Sequence, residues 1–206
     1  MGNITFKMFF LLTALLGYNF AMAQTGAPHT LRGESQVASV SLNWKSPAEA
    51  KTMQWHNDTP YNGVSGVSLN GEIPVLYIAN RFDKNDLKEY KGSVIDAISF
   101  CNYSAVLEVS LLLYENDKVV REQKVNLENL ELKKMQTIKL NEPYTVRDDV
   151  ELTVAAKFVH GTNITFVGIM DRVPGVTGKG DLYSYDGKNW KNVVKGNYLV
   201  SANIDI

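Results

Sequence analysis

The chain contains one cysteine and three histidines in 206 residues, and its charges are interspersed in sign. A single thiol, Cys101, cannot close an intramolecular disulfide, so the fold must be held without staples. Its neighbours Ile98, Phe100 and Tyr103 predict a buried, inert sulfur, because a nucleophilic thiolate needs a base or cation beside it. His29, His56 and His160 are too scattered for a spaced metal or zincin motif. No basic stripe is present to follow a phosphate backbone, which argues against nucleic-acid binding. Long apolar runs are also lacking. The nearest, residues 8–20, is shorter than the roughly 20 residues a spanning helix needs, so the chain is read as not membrane-spanning.

That short apolar run, preceded by Lys7 and followed by Ala21-Met22-Ala23, has the form of a secretory signal peptide over residues 1–23, with Gln24 as the first mature residue. Lys7 is its only charged side chain, which leaves 20 basic against 22 acidic residues and a mature net charge of −2. The chain is expected to be exported to the periplasm, the cell surface or the medium. Residues 24–36 are polar and turn-rich and read as a flexible lead-in. Residues 37–206 read as a single domain, large enough to bury about 70% of its unfolded surface.

The organisation of that domain follows from period-2 patterning. Ala38, Val40, Leu42 and Trp44 alternate with Ser39, Ser41 and Asn43, as in a half-buried strand. Tyr198, Val200, Ala202, Ile204 and Ile206 repeat the pattern at the other end. Between them lie short β-rich runs at 73–79, 94–101, 105–114, 118–125, 135–140, 150–158, 164–170, 182–185 and 190–194. Glu115-Asn116-Asp117 and Asp186-Gly187 supply hairpin turn chemistry, and Pro74, Pro143 and Pro174 sit at run edges. Residues 83–90 alone suit about two helical turns, with Asp83 as cap and Gly92 as a left-handed stop. The expected fold is all-β: a two-sheet antiparallel sandwich of jelly-roll type with one short helix.

Catalytic patterns are sparse. Ser65, in Gly63-Val64-Ser65-Gly66-Val67, misses the last glycine of a nucleophile elbow. The glycine-rich run 175–180 matches neither phosphate-binding fingerprint and reads as a flexible loop. A glycosidase needs two carboxyls flanking a sugar, and E-x-D or E-x-E on one strand face would supply them. The strands offer no such pair, so the chain is read as a non-enzyme, with a secreted glycoside hydrolase as the remotest alternative. Aromatic residues beside amides are the better signal. Trp55, Asn57, Asp58 and Tyr61 share one loop, and Tyr183, Tyr185 and Trp190 surround one hairpin. Rings cover the C–H faces of sugars while amides and carboxylates bond their hydroxyls. Against this stands the ordinary role of Trp and Tyr as core and rim residues of sandwiches. Asn57, Asp58 and Asp171 carry oxygen ligands, but no loop has the acidic density of a calcium motif, and no cofactor is expected.

Several segments together resemble a known family. These are Trp55-His56-Asn57-Asp58, Ala79-Asn80-Arg81-Phe82 with Asp86-Leu87 and Tyr90-Lys91-Gly92, Ile95-Asp96-Ala97-Ile98-Ser99-Phe100, and 136–143. The last runs from Gly178-Lys179-Gly180-Asp181 through Tyr185-Asp186-Gly187-Lys188-Asn189-Trp190 to Ala202. In order and spacing they are similar to the jelly-roll adhesin modules of secreted surface proteins of anaerobic gut and oral bacteria, including those attached to gingipain-type proteases. The resemblance covers about residues 53–204. It implies a non-catalytic binding or adhesion module, sometimes calcium-stabilised, that recognises glycan, host or envelope protein. Asn57-Asp58-Thr59 stands where the family has Asp-Asp-Gly, so the calcium site does not carry over. With its last strand at the chain end, the protein is expected to stay in the periplasm or reach the surface with a partner. A structural subunit of a cell-surface assembly is the alternative.

Overall fold

The computed structural model describes residues 31–36, 39–44, 51–57, 75–160, 168–171, 173–193 and 196–205. The signal peptide, Asp58, Tyr61, Ser65 and His29 lie outside these residues. The chain divides into two compact units, Met1–Glu49 and Ala50–Ile206. In the first, strands β1 (Leu31–Gln36) and β2 (Ser39–Trp44) pair antiparallel, Leu31 opposite Trp44. A strand thus occupies part of the stretch expected as lead-in.

The second unit is an all-β two-sheet sandwich. Its strands are β3 (Lys51–Met53), β4 (Val75–Phe82), β5 (Val94–Phe100), β6 (Glu108–Glu115), β7 (Lys118–Lys124), β8 (Gln136–Thr145), β9 (Leu152–Val159), β10 (Leu182–Ser184), β11 (Lys191–Asn192) and β12 (Val200–Asp205). One sheet has the order β11-β10-β4-β9-β6-β7 and the other β3-β12-β5-β8. Every pairing is antiparallel. The chain crosses between sheets from β3 to β4, β4 to β5, β5 to β6, β7 to β8, β8 to β9 and β11 to β12, so both inner faces are built from interleaved sequence.

Alternation places the core as the sequence predicts. Leu76, Ile78, Val109, Leu111, Leu113, Val154, Ala156 and Phe158 of the larger sheet meet Met53, Ile98, Phe100, Val200, Ala202 and Ile204 of the smaller one. Ile95 and Ile98 both enter this core although three residues apart. A register shift between Ile95 and Ala97 resets the phase, which is the work of a bulge. Opposite it, β8 runs on through Pro143 to Thr145. Because β8 pairs only with β5 among the described residues, Pro143 sits in an edge strand, where its missing N–H is tolerated.

Turn chemistry explains the connections. Asn116 and Asp117, between β6 and β7, have φ of 46° and 65°, the signs a primed two-residue hairpin turn requires. The expected helix is shorter than two turns. It is a turn over 84–87 leading into a 3-10 helix, Lys88–Tyr90. Asp83 Oδ1 accepts the N–H groups of Asn85 and Asp86, a local turn that competes with helix propagation. Gly92 does take the left-handed conformation, φ 80°. No helix among the described residues is long and apolar enough to cross a membrane.

Candidate functional site

The two aromatic groups singled out in the sequence fall at different places in the sandwich. Trp55 follows β3 and is half-buried against the main core. Its ring stacks on Phe82, centroids 5.4 Å apart and planes 20° apart, and its Nε1 donates to the Arg81 carbonyl at 2.8 Å. The Lys179 ammonium lies 4.9 Å from the same ring centroid, a cation–π distance. That ammonium also bonds both Asp86 oxygens, at 2.8 and 2.6 Å, and reaches Asp83 Oδ2 at 3.0 Å. The two carboxylates hold the ammonium charged, and Lys179, with the N–H groups of Asp86 and Asn85, holds the Asp83 carboxyl below its ordinary value. Trp55 is therefore a packing centre tying the 83–86 turn to the loop before β10.

That loop is braced from within. Glycines at 175–180 suggest freedom, yet Gly178 N–H donates to Asp181 Oδ1, and the N–H groups of Lys179 and Gly180 both reach the Val176 carbonyl. A Cβ on Gly180 would lie 2.6 Å from the Trp55 Cβ and collide with Asn197 Oδ1, so only glycine fits there. Asn57, the exposed neighbour of this cluster, donates its main-chain N–H to Asp171 Oδ2 at 3.1 Å. Asp171 is itself buried, and its Oδ1 accepts the Asn197 N–H at 2.8 Å. Asn197 Oδ1 in turn accepts from Val176 N–H. The oxygens that made Asp171 a conceivable ligand group thus hold three loop segments together. Among the described residues, no group of three or more His, Cys, Asp or Glu is placed to hold a metal ion.

The second group straddles the larger sheet. Along β10, Leu182 faces outward and Tyr183 inward, so the hairpin distributes its rings to both faces. Trp190 belongs to the outer face. It packs edge-on against Tyr114, centroids 5.7 Å apart, and Tyr77, 6.4 Å apart, over Ala79, Leu112, Ala155 and Leu182. The β10–β11 loop is bent back over this face by Asp186. Its Oδ1 accepts the N–H groups of Lys188 and Asn189 and the Ser184 hydroxyl, which together hold its carboxyl well below the usual range. Gly187, φ 71°, is pressed against Tyr77 and Tyr114 where a Cβ would come within 3.0 Å.

Tyr183 and Tyr185 remain together. Their rings meet edge to face, centroids 5.6 Å apart, and both are half-buried. The Lys191 ammonium sits 5.5 Å from the Tyr185 centroid. Burial, then Tyr183, pushes the Tyr185 phenol upward. Behind the pair lies Tyr198, fully buried, its hydroxyl without a hydrogen-bond partner among the described residues and its phenol raised by burial. Cys101 behaves as its surroundings predict: it is 1% exposed and burial pushes its thiol up to about 12.

Of the seven residues chosen from the sequence, then, Trp55 and Trp190 are packing centres for separate layers. Tyr183 and Tyr185 are also half-buried against the main core but meet each other edge to face, Asn57 is exposed, and Asp58 and Tyr61 are outside the described residues. What the sequence reading missed is the pairing of Lys179 with Asp83 and Asp86, 96 and 93 residues away, and of Asp171 with Asn197, 26 residues away, contacts that carry no local signature. No family model, curated protein or solved structure matches this chain.

Proposed function

We propose that this protein is a non-catalytic extracytoplasmic binding or adhesion module whose contact surface centres on Tyr183 and Tyr185. The observation carrying this reading is that pair: two partly buried rings, packed against the main core and held at a fixed angle to each other, with a cation beside them. Two rings of this kind offer an apolar surface with polar tips, suited to a sugar face or to a protein surface. The neighbouring acidic groups support binding over hydrolysis, since Asp171, Asp181 and Asp186 spend their oxygens on loop main chain and amides. The patterned resemblance to adhesin modules and the signal-like leader point to the same class of protein, acting on glycan, host or envelope protein.

The test is capture by the mature chain on a glycan array and from solubilised envelope extract. Tyr185→Ala is expected to weaken capture about tenfold, equivalent to roughly 1.4 kcal/mol, in protein that remains folded at the assay temperature. A wild-type chain that captures neither glycan nor protein would sink the reading.

A further inference from the structure

The four strands that end the two sheets are not equally protected. β3 and β11 are only three and two residues long. β7 carries Lys118, Arg121, Glu122 and Lys124 along seven residues, the charge pattern that discourages edge pairing. β8 is different. It is ten residues long, and among the described residues it pairs on one side with β5. Its one proline, Pro143, and its Glu142, paired with Arg121 of β7 at 3.5 Å, lie towards its end, which leaves residues 136–141 with Lys139 as their one charge. Its other side opens into a cleft of about 510 Å³ shared with the end of β7 and the loop after it.

The side chain of Gln123 shows what that edge can hold. Its Nε2 donates to the Lys139 carbonyl at 2.9 Å, and its Oε1 accepts the Asn141 N–H at 2.6 Å. Donation to one carbonyl and acceptance from the N–H two residues on is how a residue of a parallel neighbouring strand would pair about Leu140. A primary amide is chemically the peptide group, so Gln123 stands in for one residue of a missing strand. The cleft beside it has an apolar floor of Val125, Leu130 and Ile138 and walls of neutral groups such as Thr137 and Asn141. Lys124 is charged but is neutralised by Glu108 at 2.8 Å. No aromatic ring is among the described residues lining it, so the cleft lacks the platform that a sugar face would need.

We propose that β8 is a docking edge for an extended polypeptide segment of a partner protein, taken up by strand addition, with Gln123 as the placeholder it displaces. Main-chain bonds to Lys139 and Asn141 would give the affinity, and alternate side chains of the segment would enter the cleft over Val125 and Ile138. This rests on the reading of the protein as a binding module and names one class of partner for it, at an edge separate from the tyrosine pair.

The probe is a phage-displayed library of linear heptapeptides selected on the full mature chain. Enrichment of sequences alternating β-branched and polar residues is expected. Asn141→Pro removes the outward N–H while leaving the β5 pairing intact, and should weaken the selected peptides by about tenfold or more. Asn141→Ala, which keeps the N–H, should hold them. Gln123→Ala unmasks the edge and should tighten them about threefold or more, which decides the matter even if the proline variant folds poorly. No enrichment, or peptides indifferent to both Asn141→Pro and Gln123→Ala, would overturn strand addition. If glycan or envelope capture by the wild type persists in that case, the strand-addition proposal alone fails and the binding-module reading stands.

Discussion

On the outer face of the six-stranded sheet, Ala79, Leu112, Tyr114, Ala155 and Leu182 form a second apolar layer beneath Tyr77 and Trp190. On the outer face of the four-stranded sheet, the corresponding positions are Thr137, Ser99 and Asn203. There the Ser99 hydroxyl pairs with that of Thr137 and accepts from Asn203 Nδ2, each at 2.8 Å. The two faces are made from the same alternation, yet one must be covered and the other satisfies itself. The cover is the β10–β11 loop, folded back by Asp186 and finished by Trp190. The difference explains why an aromatic-rich hairpin at the surface of a sandwich is not automatically a contact site. A ring over an apolar layer is bound to it by area, at roughly 25 cal/mol for each Å² buried, and is not free to meet a ligand.

Trp190→Ala should have the largest effect. It strips the cover from the apolar face and should cost about 3 kcal/mol, at the lower end of the range for large aromatic truncations because Trp190 is only half-buried. A lowered urea midpoint with unchanged slope would be the measurement. Thr137→Val on the polar face should cost about 1 kcal/mol or less, since Ser99 keeps its bond from Asn203. If the two substitutions cost the same, the distinction between the faces is wrong.

The smallest effect concerns pH. Folding depresses the Asp186 carboxyl below its ordinary value, chiefly through the N–H groups of Asn189 and Lys188. A depressed folded value means the contribution is complete above the unfolded value of about 3.9 and disappears as pH falls through the lower folded value. Asp186→Asn should therefore narrow its stability gap to the wild type as pH drops below about 4. A gap that stays constant between neutral and acid would show that the charge on Asp186 does not hold the loop.

Much of the sandwich was legible because its long strands bury one face. Val200, Ala202 and Ile204 against Ser201 and Asn203 is a pattern only a strand in a two-layer protein explains, and Asn116-Asp117 announces its turn. β3 could not be read, for three residues, Lys51–Met53, have no period to display. The extension of β8 past Pro143 was hidden because proline forbids a central strand but not an edge. The helix expected at 83–90 is cut short because the carboxylates that look like caps, Asp83 and Asp86, accept main-chain N–H groups within the turn itself. At the candidate site, sequence found the rings but not their faces. Nothing local indicates that Trp190 turns onto Tyr77 and Tyr114 while Tyr183 turns the opposite way, because the fold-back depends on pairing β10 with β4 more than a hundred residues earlier.

The most direct test of this assignment is to measure stability and capture together for Trp190→Ala and Tyr185→Ala. The two rings should separate: Trp190→Ala loses stability and, where still folded, keeps its affinity, while Tyr185→Ala stays folded and loses capture. A Trp190→Ala protein as stable as the wild type but unable to capture its target would contradict the account.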